Sequence, residues 1–241
     1  MRIALDEVVD LEEPIWRYFK PSRFHDFMTT GELYFASARQ FQDPFEGAVA
    51  VLPPGFPVDP RYTEREGSER AFEELRRLTK ISCWHRASYE SDAMWQLYAG
   101  AWKGVAIRTT PGRIAKAAKP FRLNPEYGQE DLWAGYVRYV DLLKERLRVS
   151  MLDRFWYKHM AFSWEREFRL AISLRMAEEY GVKVPEDGIK VQFDVSQLVD
   201  RIFIGPSLGE DGVKVVRQAA EAAGLGGHVR MSSMLGSPRY V

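Results

Sequence analysis

The chain has 241 residues, 46% hydrophobic and 28% charged, and its 34 basic and 34 acidic side chains balance to a formal net charge of +0. That length permits one large domain or two small ones with a sizeable core, and the charge balance argues against a generic nucleic-acid surface while leaving room for a local basic pocket. One cysteine, Cys83, excludes an intrachain disulfide and a cysteine zinc cluster.

From the N-terminus, the segment Met1 to Glu7 turns acidic at once, unlike a signal peptide. No apolar run reaches the length of a membrane span, so the expected location is the cytoplasm, with no membrane partner. Pro14–Lys20 reads as an aromatic-rich strand. Pro21 opens a short helix, Ser22–Thr30, that Gly31 closes. Glu32–Ser37 is a second strand, and Gln40–Gly47 a turn-rich stretch punctuated by Asp43-Pro44. Pro53–Pro60, with four prolines and a glycine, is a loop. Thr63–Lys80 is a charged amphipathic helix.

Ile81–Arg86 is a strand containing Cys83, and Ser91–Gly100 a helix capped by Ser91. Gly104–Thr109 is a strand, Pro111–Lys119 a short helix and Ala134–Val140 another strand. Asp141–Phe162 reads as a long helix, with Lys158 and His159 complementing its dipole at the end. Glu165–Leu174 is the strongest strand signal in the chain. Lys190–Val195, Arg201–Ile204 and His228–Met234 are further strands, and Gly212–Ala223 is a helix ended by Gly224. The irregular order points to a single α+β domain over 1–241, with a mixed, largely antiparallel sheet flanked by helices. No glycine-rich phosphate loop follows any strand. His25, His85, His159 and His228 lack the i,i+4 spacing of a helical metal site, so no metal is expected.

Alternation along Glu165–Leu174 puts Trp164, Arg166, Phe168, Leu170, Ile172 and Leu174 on one face, the expected core face. The other face carries Glu165, Glu167, Arg169, Ala171 and Ser173. Neighbours on one face sit about 7 Å apart, so two buried carboxylates there repel and one has a raised pKa, with Arg169 pulling the other way. Such a row suits a polar cleft with acid/base work for the carboxylates. A solvated sheet face with a weak ion pair stays open as the plainer reading. Phe41 to Glu46 reads as a turn pinned by Phe41 and Phe45, with Glu46 placed to line a cleft.

One motif order spans roughly residues 14 to 205. It runs Ile15-Trp16-Arg17-Tyr18-Phe19-Lys20, Leu33-Tyr34-Phe35-Ala36-Ser37, Phe41-Gln42-Asp43-Pro44-Phe45-Glu46, Cys83 and Met94-Trp95-Gln96-Leu97-Tyr98-Ala99. It continues with Lys103-Gly104-Val105-Ala106-Ile107, Val137-Arg138-Tyr139, Lys158 and Trp164-Glu165-Arg166-Glu167-Phe168-Arg169. This resembles the bacterial domain-of-unknown-function family numbered 2971, with Gln42 in place of the family's Asn and His85 in place of its Ser.

A more distant resemblance is to ADP-ribosyltransferases that order an Arg, a Ser and a Glu-x-Glu on successive strands, here Arg17, Ser37 and Glu165-x-Glu167. It implies NAD as substrate and a toxin or defence effector. Arg17 would hold the phosphates or ribose, with Arg169 a further cofactor-binding candidate. Ser37 would position the nicotinamide ribose. Glu167 would stabilise an oxocarbenium-like transition state, and Glu165 would orient an unidentified protein or nucleic-acid acceptor. Tyr34, Trp95 or Tyr98 would stack on a base. Two other readings stay open: a non-catalytic nucleotide- or protein-binding module, and a hydrolase using Cys83 with His85, or the Glu165/Glu167 carboxylates.

Overall fold

The computed structural model describes residues 3–49, 65–126 and 128–234. The proline-rich loop at 53–60 and the expected start of the following helix at Thr63 lie outside them. Ten strands form a mixed, open sheet with helices around it, an α+β fold. Among the described residues no helix is long and apolar enough to cross a membrane. The chain divides into two compact units, each assembled from three separate stretches.

The first unit comprises 1–8, 34–83 and 120–190. Its strand β1 (Ile3–Leu5) runs parallel to β6 (Leu132–Tyr136), which pairs antiparallel with β9 (Glu167–Ser173). β9 lies beside β4 (Thr79–Arg86), whose Thr79–Cys83 half belongs to this unit, and Leu174 N–H donates to Leu78 O at 2.9 Å where the two meet. The Ala36 and Ser37 end of β3 (Glu32–Ser37) pairs antiparallel with Ile81 and Lys80. A separate parallel pair joins β7 (Arg138–Val140) to β8 (Tyr157–His159). Ala38, Leu75, Ile81, Phe155 and Ala171 pack into one core cluster, Leu75 coming from α2 (Arg65–Leu78).

The second unit comprises 9–33, 84–119 and 191–241. Here β2 (Ile15–Phe19) pairs antiparallel with the Trp84–Arg86 half of β4 and with β5 (Val105–Thr109). β5 pairs antiparallel with β10 (Arg201–Ile204), which runs parallel to β11 (Val229–Met231). The helix α1 (Pro21–Thr30) begins on Pro21, whose missing N–H costs nothing at a helix start. It ends on Gly31, whose left-handed φ of 71° lets its N–H reach Phe27 O at 2.8 Å. Phe24, Phe27 and Met28 form its buried face, and it packs with the later helix α4 (Glu210–Ala222). Helix α3 (Asp92–Tyr98) is capped by Ser91, and its Met94 and Trp95 join Trp16, Tyr18, Ala99 and Ala106 in the unit's aromatic core.

Three expectations need correction. The strand expected over Ala134–Val140 is split, its first part lying in β6 and its last in β7 of the separate parallel pair. The segment Asp141–Phe162 is not a long helix. It holds a turn at Asp141, a 3₁₀ turn over Asp153–Trp156, strand β8, and a second 3₁₀ segment over Met160–Glu165. Its Leu147 N–H donates to Val49 O at 2.8 Å, and Lys158 is buried on β8 rather than ending a helix. Tertiary partners outweigh the helix-favouring composition. Likewise β9 starts at Glu167, not Glu165, because Arg166 is left-handed with φ 43°. The alternation therefore breaks there: Trp164 and Arg166 are exposed rather than core.

Gly104 precedes β5, where a Cβ would sit 2.2 Å from Phe19 O and 2.6 Å from Ala99 O, both backbone atoms that cannot swing aside. Gly104→Ala is expected to destabilise the protein by about 1–3 kcal/mol through overpacking, read as a lower urea midpoint with unchanged slope.

Candidate functional site

β9 is buried on both faces. Phe168, Leu170 and Ile172 occupy one, and Glu167, Arg169 and Ala171 the other, so the odd-numbered side is neither an open cleft nor a solvated surface. Four other segments of the first unit converge on it. The turn after Phe41 delivers Glu46. Next to it Gly47 adopts φ 77° and lies so close to Phe155 that a Cβ would fall 2.6 Å from the ring. The 3₁₀ turn at Asp153–Trp156 delivers Phe155, β8 delivers Lys158, and the 3₁₀ segment ending at Glu165 delivers that carboxyl.

Arg169 is fully buried and every nitrogen of its guanidinium donates. Nη1 and Nη2 reach the two Glu46 oxygens at 2.5 and 3.0 Å. Nε and Nη2 reach the two Glu167 oxygens at 2.7 and 3.2 Å, and Nη1 also donates to Phe155 O at 2.6 Å. This double fork is the geometry a planar guanidinium offers and an ammonium does not. Lys158 Nζ donates to Glu167 Oε1 at 2.8 Å and to Glu165 Oε2, and sits 4.5 Å from the Phe162 ring centroid. The Tyr139 hydroxyl accepts the Glu167 backbone N–H at 2.8 Å.

The carboxyls titrate apart. Burial raises Glu167, but the charge of Arg169, the hydrogen bond from Glu165 and the charge of Lys158 outweigh it and hold the carboxyl well below its usual range. Burial, then the hydrogen bond to Glu167 and its charge, lift Glu165 to about 7 against the opposition of Lys158. Burial likewise raises Glu46 despite Arg169. Cys83 lies beside the cluster on β4, and burial followed by the negative charge of Glu167 pushes its thiol well above the ordinary value. It stays a thiol at neutral pH, the wrong form for a nucleophile. Among the described residues no group of three His, Cys, Asp or Glu side chains is arranged to hold a metal ion.

The first unit thus brings together Glu165, Glu167 and Arg169 of the expected site residues. It also contains Ser37 and Tyr34, whose hydroxyls are engaged locally. Ser37 Oγ donates to Arg76 O at 3.0 Å and accepts the Arg39 N–H at 3.4 Å, and Tyr34 Oη donates to Gln40 Oε1 at 2.9 Å. Arg17, Trp95, Tyr98 and His85 belong to the second unit. The Arg17 guanidinium lies 5.7 Å from the Phe19 ring and 5.6 Å from Trp84, Trp95 is core with its indole N–H on Glu90 at 3.0 Å, and Tyr98 is half-exposed. The role of Lys158 is absent from the sequence reading. Its signal is a lone cation inside the apolar run Phe155-Trp156-Tyr157-Lys158-His159-Met160-Ala161-Phe162.

Fold and site together define an α+β protein with a buried five-residue carboxylate and cation network. No protein-family model matches the chain, and neither does any curated protein or solved structure.

Arg169→Met leaves Glu46 buried without a cation and Glu167 with Lys158 alone, so it is expected to cost about 3–5 kcal/mol in denaturant unfolding. Glu165 has a folded pKa above its unfolded one, so its stabilising contribution is complete below the ordinary carboxylate range and is lost as pH rises through about 7. Glu165→Gln mimics the protonated form. The variant is expected to lose that fall in stability between about pH 5 and about pH 8, measured by urea midpoints across the range.

Proposed function

We propose that the protein is a carboxylate acid/base enzyme acting on the glycosidic bond of a nucleotide, with NAD as substrate, of the ADP-ribosyl-transfer or NAD-glycohydrolase type. One observation carries the reading: Glu165 and Glu167 share a single ammonium yet hold protons with very different affinity, one at about 7 and the other well below the carboxylate range. Titratable pairs pushed apart in this way supply an acid/base group and a fixed charge side by side. Glu165, half-ionised near neutrality, takes a proton from water or an acceptor hydroxyl. Glu167 remains an anion that favours positive charge building on the ribose as the C–N bond breaks. The electron pair of that bond leaves with nicotinamide, which departs neutral, and the water oxygen closes on the anomeric carbon.

The support lies in the carboxylates and in the motif order shared with the Arg-Ser-Glu enzymes. The hydroxyl of Ser37 and the guanidinium of Arg169 are committed to protein partners, so their contacts add nothing to a ribose- or phosphate-holding role. The raised thiol of Cys83 disfavours the cysteine hydrolase. A binding module without turnover is the second reading, favoured by the complete burial of Arg169 and Glu46, which suits a structural lock.

Incubation of the protein with NAD, with nicotinamide release followed by chromatography, separates the two. Turnover is expected to fall by about 10²-fold or more in Glu165→Gln, within the range that loss of a general acid/base group gives. Heat stabilisation by NAD with no nicotinamide released supports the module, and no effect of NAD of either kind removes both for this substrate.

A further inference from the structure

A second feature of the first unit is independent of the carboxylate network. A pocket of about 330 Å³ is lined by Asp6, Trp133, Arg138, Asp153, Trp156 and Tyr157, together with the β1–β6 edge. Three of these side chains are aromatic, and Trp133 on β6 is 39% exposed, a large indole left in contact with solvent.

The cation in the lining is already engaged. Arg138 Nη1 donates to Tyr157 Oη at 3.1 Å, Nη2 donates to Asp6 Oδ2 at 3.3 Å, and its Cζ lies 5.7 Å from the Tyr157 ring centroid. Asp153 adds its charge to the field at Arg138 and makes no salt bridge of its own among the described residues. Two carboxylates against one guanidinium leave the pocket with an excess of negative charge. The internal guanidinium also shows what the lining accommodates: a flat cation over an aromatic face with a carboxylate at its edge.

Another lining residue, Trp156, is placed at a cost. Trp156 approaches Gly135 so closely that a Cβ there would fall 2.6 Å from its Nε1, and that buried indole N–H has no hydrogen-bond partner among the described residues. An unpaired buried donor is destabilising, and folds carry such costs chiefly where a side chain serves something other than packing. We infer that this pocket binds a planar aromatic cation, a pyridinium or an N-alkylated heterocycle, stacked on the exposed tryptophan and charge-matched by Asp6 and Asp153.

Titration calorimetry with 1-methylnicotinamide tests this, with neutral nicotinamide as the control of equal shape. Saturable binding of the cation is expected, with the neutral ring weaker by about tenfold. Trp133→Leu, at a half-exposed position, and Asp153→Asn, at an exposed one, are each expected to weaken the cation by a similar factor while leaving the urea midpoint in place. No saturable heat with the cation, equal binding of the two probes, or unchanged binding in both variants overturns the inference. Nicotinamide release from NAD is read in parallel. Lost binding with intact turnover sinks the pocket alone, and lost turnover in Glu165→Gln with intact probe binding concerns the carboxylates alone.

Discussion

Arg169 has no contact with solvent, and its guanidinium is shared between Glu46 and Glu167 with the Phe155 carbonyl filling the last direction. Removing an ion from water costs several kcal/mol even after relaxation, so each of these groups is tolerable only while the others are in place. The consequence is topological. Glu46 comes from a turn, Phe155 from a 3₁₀ segment, Lys158 from a short strand and Glu165 from a second 3₁₀ segment. None of them has strong local structure to hold it. Their backbone path is set by the requirement to bring oxygen and nitrogen atoms to β9.

That requirement explains where the fold was legible and where it was not. Elements marked by local chemistry came through: Pro21 and Gly31 bracket α1, Ser91 caps α3, and the alternation of Glu32–Ser37 and Arg201–Ile204 matches β3 and β10 to the residue. The helix expected over Asp141–Phe162 failed because its evidence was propensity, which is worth only tenths of a kcal/mol per residue. The fold instead places Lys158 on β8, where Glu165 and Glu167 hold it. The parallel pairing of β7 with β8 depends on partners 19 residues apart, such as Arg138 and Tyr157, a separation invisible to any local window.

The site was half legible for a related reason. Glu165 and Glu167 are two residues apart, and strand alternation correctly kept them together and predicted a raised carboxyl. The path is different from the one expected. Arg166 turns left-handed, so Glu165 arrives from a 3₁₀ turn rather than along the strand. The error of backbone therefore left that relation of side chains in place. Glu46 was visible only as a turn residue near a cleft, and Lys158 only as a helix end, because nothing local says that a carboxylate 123 residues upstream will meet Arg169.

The network is asymmetric in a way that bears on chemistry. Its Arg169 end is fixed: both forks are satisfied, all partners are buried, and no proton is easily exchanged there. Its Glu165 end carries a carboxyl that burial, then the hydrogen bond to Glu167 and its charge, raise to about 7. Arg166 is exposed immediately beside it, and Trp164 and Met160 of the same 3₁₀ segment are also exposed, so this end lies under the thinnest cover. A group that must exchange a proton with a substrate has to sit at such a boundary, buried enough to be tuned and near enough to the surface to be reached. Burying Arg169 thus does two things at once. It ties the turn of Glu46 and the 3₁₀ segment of Phe155 to β9, and the Glu167 charge it maintains adds to the burial that raises the Glu165 carboxyl.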